Sequence, residues 1–228
     1  MDIGRAYRFV FDDPNWLKKV GIAALVTLIP VLGTIVIMGW SIEITRRVIN
    51  NDPEPLPDWD NFSELLNKGL RAFAVSLAYM LPVIVIVTCG QLVAGGAIAG
   101  LATSSSDSTA MGTGMAILFG CIYCLVLILS IALGFFLMAA NGRLAVYGEI
   151  SAAFKFTEVI AQLRAAPVAY LMVILISWLT NMLLVPLGAI ACGIGIIFTS
   201  ALGMAISAHL IGQAYTISQS AQAATNSI

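Results

Sequence analysis

The sequence predicts an all-α integral membrane protein, and three observations carry that prediction. Of 228 residues, 60% are hydrophobic and 10% are charged, where a soluble domain covers its surface with roughly 25% charged residues. The charges that exist leave four long runs without any Asp, Glu, Lys or Arg. The 11 bases are also distributed so that one folding of the chain puts them all on one face. With 12 acids against 11 bases the net charge is −1, so there is no basic footprint for nucleic acid and no acidic tail.

A full charge at the bilayer centre costs at least about 2.5 kcal/mol, so the charge-free runs locate the spans. The first runs from Val20 to Ile42. Read as one helix, it divides the bases between two compartments. Read as two short helices joined at Pro30-Val31-Leu32-Gly33, it returns to its starting side, and Pro followed by Gly breaks a helix well. That reading gathers Arg5, Arg8, Lys18, Lys19, Arg46, Arg47, Lys68, Arg71, Arg143, Lys155 and Arg164 on one face, which the positive-inside bias makes cytoplasmic. Its two arms, about Trp16 to Ile29 and Thr34 to Ile49, are only marginally long enough for roughly 30 Å of hydrocarbon. The runs Ala72 to Ser106 and Ser108 to Gly142 hold one helix each, and Ala165 to Ile228 holds two turning at Val185-Pro186-Leu187-Gly188. The expectation is six membrane-embedded helices with both termini cytoplasmic, in the inner membrane. Since the first apolar run is preceded by Asp12, Asp13 and Pro14, no cleavable signal peptide is expected.

Asp2 to Phe9 aligns with Glu149 to Phe156 at six of eight positions by identity or chemistry. Each octet precedes a hairpin, and Asn61-Phe62-Ser63-Glu64 begins a looser third copy. This predicts one membrane domain over 1–228 with parallel repeat units at 1–50, 58–142 and 149–228. Each octet places apolar residues at helical spacing with bases between them, as in a helix lying along the headgroup boundary.

The pattern Asp2-Ile3-Gly4, Ala6-Tyr7, Asp13-Pro14-x-Trp16-Leu17-Lys18-Lys19, Ile29-Pro30-x-x-Gly33, Arg46-Arg47 and Leu56-Pro57-x-Trp59 resembles an uncharacterised family of prokaryotic polytopic membrane proteins, a domain of unknown function. More distantly it is similar to the membrane domain fused to some glycerophosphodiester phosphodiesterases. The resemblance implies a prokaryotic inner membrane and brings no catalytic residues.

Candidate residues follow from chemistry. Arg5, Arg8, Lys18, Lys19, Arg46, Arg47 and Lys155 are placed to meet lipid headgroups. Glu43 stands three and four residues before Arg46 and Arg47, the spacing of a local ion pair. Gly96-x-x-x-Gly100, Ala201-x-x-x-Ala205 and Ala208-x-x-x-Gly212 are small-residue ridges suited to close helix packing. His209 is the single histidine. It can hydrogen-bond Gln213 one turn on, or ligate a pigment or relay a proton. Asn141, Asn181, Gln91 and Gln213 suit interhelical fastening. The pair Cys121-x-x-Cys124, with Cys89 and Cys192 in other apolar segments, lacks the histidines and spacing of a metal site. Trp16, Trp40, Trp59 and Trp178 fit a headgroup belt, and Asn50 to Asp60, with three prolines, reads as a stiff exposed linker.

No nucleophile and base pair, metal spacing or phosphate loop stands outside the apolar runs, and the polar segments are too short for a catalytic domain. No catalytic residue, metal or cofactor is therefore expected. The leading expectation is a non-catalytic accessory or assembly subunit that packs in the lipid bilayer against another membrane protein or itself. The alternative is a homo-oligomeric transporter of a small solute, ion or lipid, using the Pro30 and Pro186 breaks. A third is a pigment- or quinone-associated subunit using His209.

Overall fold

The computed structural model describes residues 1–102, 108–190 and 194–226. They form helices α1 (Ile3–Asp12), α2 (Trp16–Thr27), α3 (Leu32–Ile49), α4 (Phe62–Ala102), α5 (Ser108–Tyr147), α6 (Ile150–Ala153), α7 (Phe156–Ala165), α8 (Pro167–Ile190) and α9 (Ile194–Asn226). Among the described residues, four segments are long and apolar enough to cross a membrane: Phe62–Val93, Phe119–Tyr147, Pro167–Ile190 and Gly195–Thr225. At 1.5 Å per residue, the 12 residues of α2 reach about 18 Å and the 18 of α3 about 27 Å, both short of a roughly 30 Å core.

Residues 20–40 are two helices with a turn between them. The Leu32 N–H donates to the Pro30 carbonyl at 2.7 Å, and Val31 between them has φ 64° and ψ −62°. This is the γ-turn with a positive central φ, a strained conformation for a β-branched residue. Gly33 then lies directly on the Val26 carbonyl, where any Cβ would strike it. Only glycine permits so abrupt a return.

The chain divides into two compact units, Met1–Val75 with Phe135–Ile228, and Ser76–Gly134. In the first unit α9 is the central element, packed against α1, α2, α3, α7 and α8. Its core contains Trp40, Tyr170, Ile37, Ile44, Ile206 and Leu210. The α3 and α4 backbones nearly touch: a Cβ on Gly39 would lie 2.7 Å from the Gly69 nitrogen and 2.8 Å from the Leu65 carbonyl carbon. In the second unit the later part of α4 meets the earlier part of α5 at Gly90 and Ile122. Leu81, Ile84, Leu92, Ile117, Leu127 and Ile128 are exposed there, as hydrocarbon-facing residues are.

Several expectations need correction. Pro186 and Gly188 do not turn the chain: α8 continues through both to Ile190. Pro186 removes one N–H near the helix end, a defect that packed apolar helices tolerate. Gly188 serves close packing instead, since a Cβ there would stand 2.7 Å from the Gly195 carbonyl carbon of α9. The turn itself falls at 191–193, outside the described residues, as do Cys192 and the serine-rich 103–107.

The octet Glu149–Phe156 is not one helix. It breaks after Ala153 because the Ala152 carbonyl accepts from Arg143 Nε at 2.8 Å, and the Phe156 N–H turns to Phe154 O at 2.8 Å. Helix α1 is amphipathic as expected, capped by Asp2, whose carboxylate accepts from the Arg5 N–H at 2.9 Å. Its apolar face, however, packs into the protein through Ala6, Phe9 and Val10. The prolines of Asn50 to Asp60 do not make an exposed linker either: Leu56 is fully buried and Trp40 Nε1 donates to Pro57 O at 3.3 Å. Trp40 is a core residue stacked on Trp59, with ring centroids 5.9 Å apart.

Candidate functional site

The polar chemistry of the first unit is concentrated where helix ends meet. Glu43 lies one turn and a half before the end of α3 and is almost wholly buried. It is there because Ile42 and Ile44 beside it face the packed interior. Its two oxygens accept from Arg46 Nε at 2.8 Å and Nη2 at 2.6 Å, from Arg47 Nε at 3.1 Å, and from Lys68 Nζ at 2.6 Å. The Arg46 and Arg47 pairing follows the sequence spacing. Lys68, brought in by the start of α4 and also bonded to Glu64, had no local signal. One carboxylate thus holds three cations, with its lone pairs filled as a buried charge requires. Arg71, one turn beyond Lys68, donates through Nη1 to the Gly148 carbonyl after α5. Gly148 has φ 68°, which suits glycine at this helix exit.

Lys19 was expected at the headgroups, and its side chain is instead only 4% exposed. Its ammonium donates to Asp13 Oδ2 at 2.7 Å and to the Leu56 carbonyl at 3.0 Å, with Asp58 Oδ1 at 3.4 Å. Two hydrogen bonds and the further ion pair with Asp58 compensate the buried ammonium. Trp59 Nε1 donates to Lys19 O at 2.9 Å, closing the loop over the start of α2. Arg143 is likewise buried, paired with Glu158 and stacked 5.2 Å from the Tyr147 ring. Arg46 and Arg47 are part-exposed but committed to Glu43. Arg5, Arg8, Lys18 and Lys155 are exposed.

His209 sits on α9, buried, with its ring 4.5 Å from that of Phe9. The Asp2 N–H donates to Gln213 Oε1 at 2.7 Å, and Gln213 Nε2 donates to Asp2 O at 2.9 Å. That pair fixes the amide orientation, so Gln213 Nε2, 3.2 Å from His209 Nδ1, donates to it. The imidazole is then neutral with its proton on Nε2. Beside it is a cavity of about 210 Å³ lined by Asp2, Arg5, Asp52, Gln213 and Thr216, smaller than the roughly 300 Å³ at which cofactor pockets begin. Asp2, Gln213 and His209 thus join the start of α1 to α9 through hydrogen bonds.

The ridge on α9 is used inside the chain. Ala201, Ala205 and Ala208 are buried, and Thr45 Oγ1 donates to Ala208 O at 3.1 Å. A Cβ on Gly212 would stand 2.8 Å from Val48 Cβ. Gly96 has open space around it, and the surroundings of Gly100 lie outside the described residues. Asn181 donates to Ser177 O at 2.7 Å, and its Oδ1 borders Gly203 of α9. Gln91 lines a 50 Å³ hollow in the second unit. Cys89, Cys121 and Cys124 are exposed free thiols. No group of three metal-ligating side chains occurs among the described residues.

A family model described as a protein of unknown function, DUF4013, matches residues 22–194. No curated protein and no solved structure matches, so the likeness to the membrane domain of glycerophosphodiester phosphodiesterases has no counterpart in these findings.

Proposed function

The chain belongs to the DUF4013 family, and we propose that it is a non-catalytic accessory subunit of the inner membrane that packs against, and helps assemble, a larger membrane complex. In this reading α2 and α3 form a short hairpin that returns to the cytoplasmic side, giving six embedded helices with both termini inside. The support is that the bonds made by Lys19, Glu43, Lys68, Arg71 and Gln213 tie together the start of α2, the end of α3, the start of α4, the end of α5 and the start of α1. Bases sorted to one side of a bundle mark the cytoplasmic face.

The observation that carries the accessory role is that the buried Asp, Glu, Lys and Arg side chains among the described residues are locked in ion pairs near helix ends: Asp13 with Lys19, Glu43 with Arg46, Arg47 and Lys68, and Arg143 with Glu158. Such knots stiffen a scaffold, whereas a carrier needs ionisable groups free to exchange partners with its cargo. The transporter reading also leaned on two helix breaks, and α8 runs unbroken through Pro186.

Extraction of the tagged full chain from its native membranes in mild detergent tests the proposal. A second membrane protein in stoichiometric amount is expected; a monodisperse chain without one refutes it.

A further inference from the structure

We propose that the cleft between the start of α4 and the end of α5 binds a phosphate-bearing anion, supplied by the headgroup of an anionic phospholipid. The lipid source rests on the membrane reading above; the anion chemistry does not.

Arg46, Lys68 and Arg71 line one side of this cleft, and the backbone and side chains of 144–148 line the other, around a volume of about 230 Å³. That volume is below the roughly 300 Å³ of a drug-sized pocket, so it suits a compact polar group. An open hollow adjoining it adds the Ser63 hydroxyl and the Asn67 amide, both exposed, to Lys68 and Arg71. The charges do not balance. Against Arg46, Arg47, Lys68 and Arg71 stand Glu43 and Glu64 in direct ion pairs, and Asp52 acts on Arg46 from farther off, which leaves one positive charge in excess within a few residues. Three of the four are drawn together by Glu43, which is buried and cannot turn away to solvent. Holding like charges this close is unfavourable unless an anion completes the cluster, and a phosphate oxygen set accepts from guanidinium and ammonium at once.

The neighbouring surface fits the rest of a lipid. Leu70 and Phe73 flank Arg71 on α4 and are exposed, as are Val146 and Tyr147. An acyl chain can lie on apolar surface while its phosphate sits among the bases, the arrangement of basic clefts at the cytoplasmic boundary. Glu64 is the competing acid, since it already holds Lys68; the phosphate shares that lysine and takes Arg71 from the Gly148 side.

The test uses the full chain purified in neutral detergent, with phosphatidylglycerol, phosphatidylcholine of the same acyl chains, and inorganic phosphate as probes. Retained lipid is counted by native mass spectrometry and affinity is read from melting shifts. The parent is expected to retain phosphatidylglycerol in preference to phosphatidylcholine. Lys68→Gln and Arg71→Gln should each weaken it about tenfold, the usual loss of one charge-assisted hydrogen bond, while Arg164→Gln, at an exposed base away from the cleft, leaves it unchanged. Arg71 is exposed, so R71Q decides the matter if K68Q does not fold. Equal retention of the two lipids, or undiminished phosphatidylglycerol binding in R71Q, overturns the site. Inorganic phosphate stabilising as strongly as phosphatidylglycerol, with the same sensitivity to R71Q, overturns the lipid source. Alkaline carbonate extraction of native membranes reads the membrane assignment separately: release of the chain defeats that reading while the binding data stand by themselves.

Discussion

Replacing Gly39 by alanine sets two effects of opposite sign against each other. Gly39 is inside α3, where alanine is favoured over glycine by about 1 kcal/mol. The added Cβ, however, would stand 2.7 Å from the Gly69 nitrogen and 2.8 Å from the Leu65 carbonyl carbon, and closer still to the Leu65 carbonyl oxygen, where ordinary contact begins at 3.4 Å. All of these obstacles are main chain of α4, so no rotamer change relieves them and the helices must part by more than the roughly 0.7 Å that the Gly69 nitrogen alone demands. Overpacking that side chains can absorb costs about 1–3 kcal/mol. This clash belongs at or above the top of that range, leaving a net loss of about 2 kcal/mol or more. Gly69→Ala meets the reciprocal obstacle, the Ile35 carbonyl, with its carbon at 2.7 Å. Because one separation serves both, the double variant should lose less than the two singles together. Gly21→Ala is the control: it is also inside a helix, nothing lies within 4 Å of its Cβ, and it should melt slightly higher than the parent. Thermal unfolding in detergent, followed by tryptophan fluorescence, reads all four proteins. A G39A protein that melts with or above the parent would falsify the α3–α4 crossing.

The remaining expectations test the ionic knots, the turn and the orientation. Lys19→Met and Asp13→Asn should each cost about 3–5 kcal/mol, the loss on stranding one member of a buried pair. The double variant should recover part of it, and strict additivity would count against a buried pair. Glu43→Gln leaves three cations around a neutral amide; because Arg46, Arg47 and Lys68 are 42%, 27% and 21% exposed, screening reduces the cost to about 2 kcal/mol. Chemical denaturation would contradict this if E43Q matched the parent. Val31→Gly removes a β-branched residue from positive φ and should raise stability by about 1 kcal/mol; a lower melting temperature would mean the turn is not strained. In a cysteine-free background, an impermeant maleimide should label Arg8→Cys, Arg46→Cys and Lys155→Cys only from the cytoplasmic side, and labelling of position 46 from outside would overturn the returning hairpin.

Those features of the fold that depend on composition or short spacing are legible in the amino-acid sequence itself. Charge exclusion located α4, α5, α8 and α9, because a single charge in hydrocarbon costs more than local preference can return. The break at Pro30 could be read because proline and glycine act on the two or three residues around them. Glu43 with Arg46 and Arg47, and His209 with Gln213, are one-turn neighbours on their own helices, so pairing followed from helix geometry.

What stayed hidden is whatever depends on a partner far away in sequence. A proline in an apolar helix reads as a break, yet the outcome at Pro186 was decided by α9 lying against α8, and Gly188 and Gly195 mark that contact only once both helices are placed. Gly39 and Gly69 carry no motif of the small-residue kind, being single glycines on separate helices, and their meaning exists only as a pair. Lys19 and Lys18 are adjacent bases with identical local preference. One is exposed and the other buried because Asp13 and the Leu56 carbonyl converge on the second, 6 and 37 residues away. The same holds for the candidate anion site. Arg46 was marked by its place beside Glu43, whereas Lys68 and Arg71 gain their significance from α4 beginning where α3 ends and from Gly148 returning to meet them. The sorting of bases to one face is therefore necessary for such a cleft but does not select its members; the buried carboxylate of Glu43 does, by fixing which of the bases stand together.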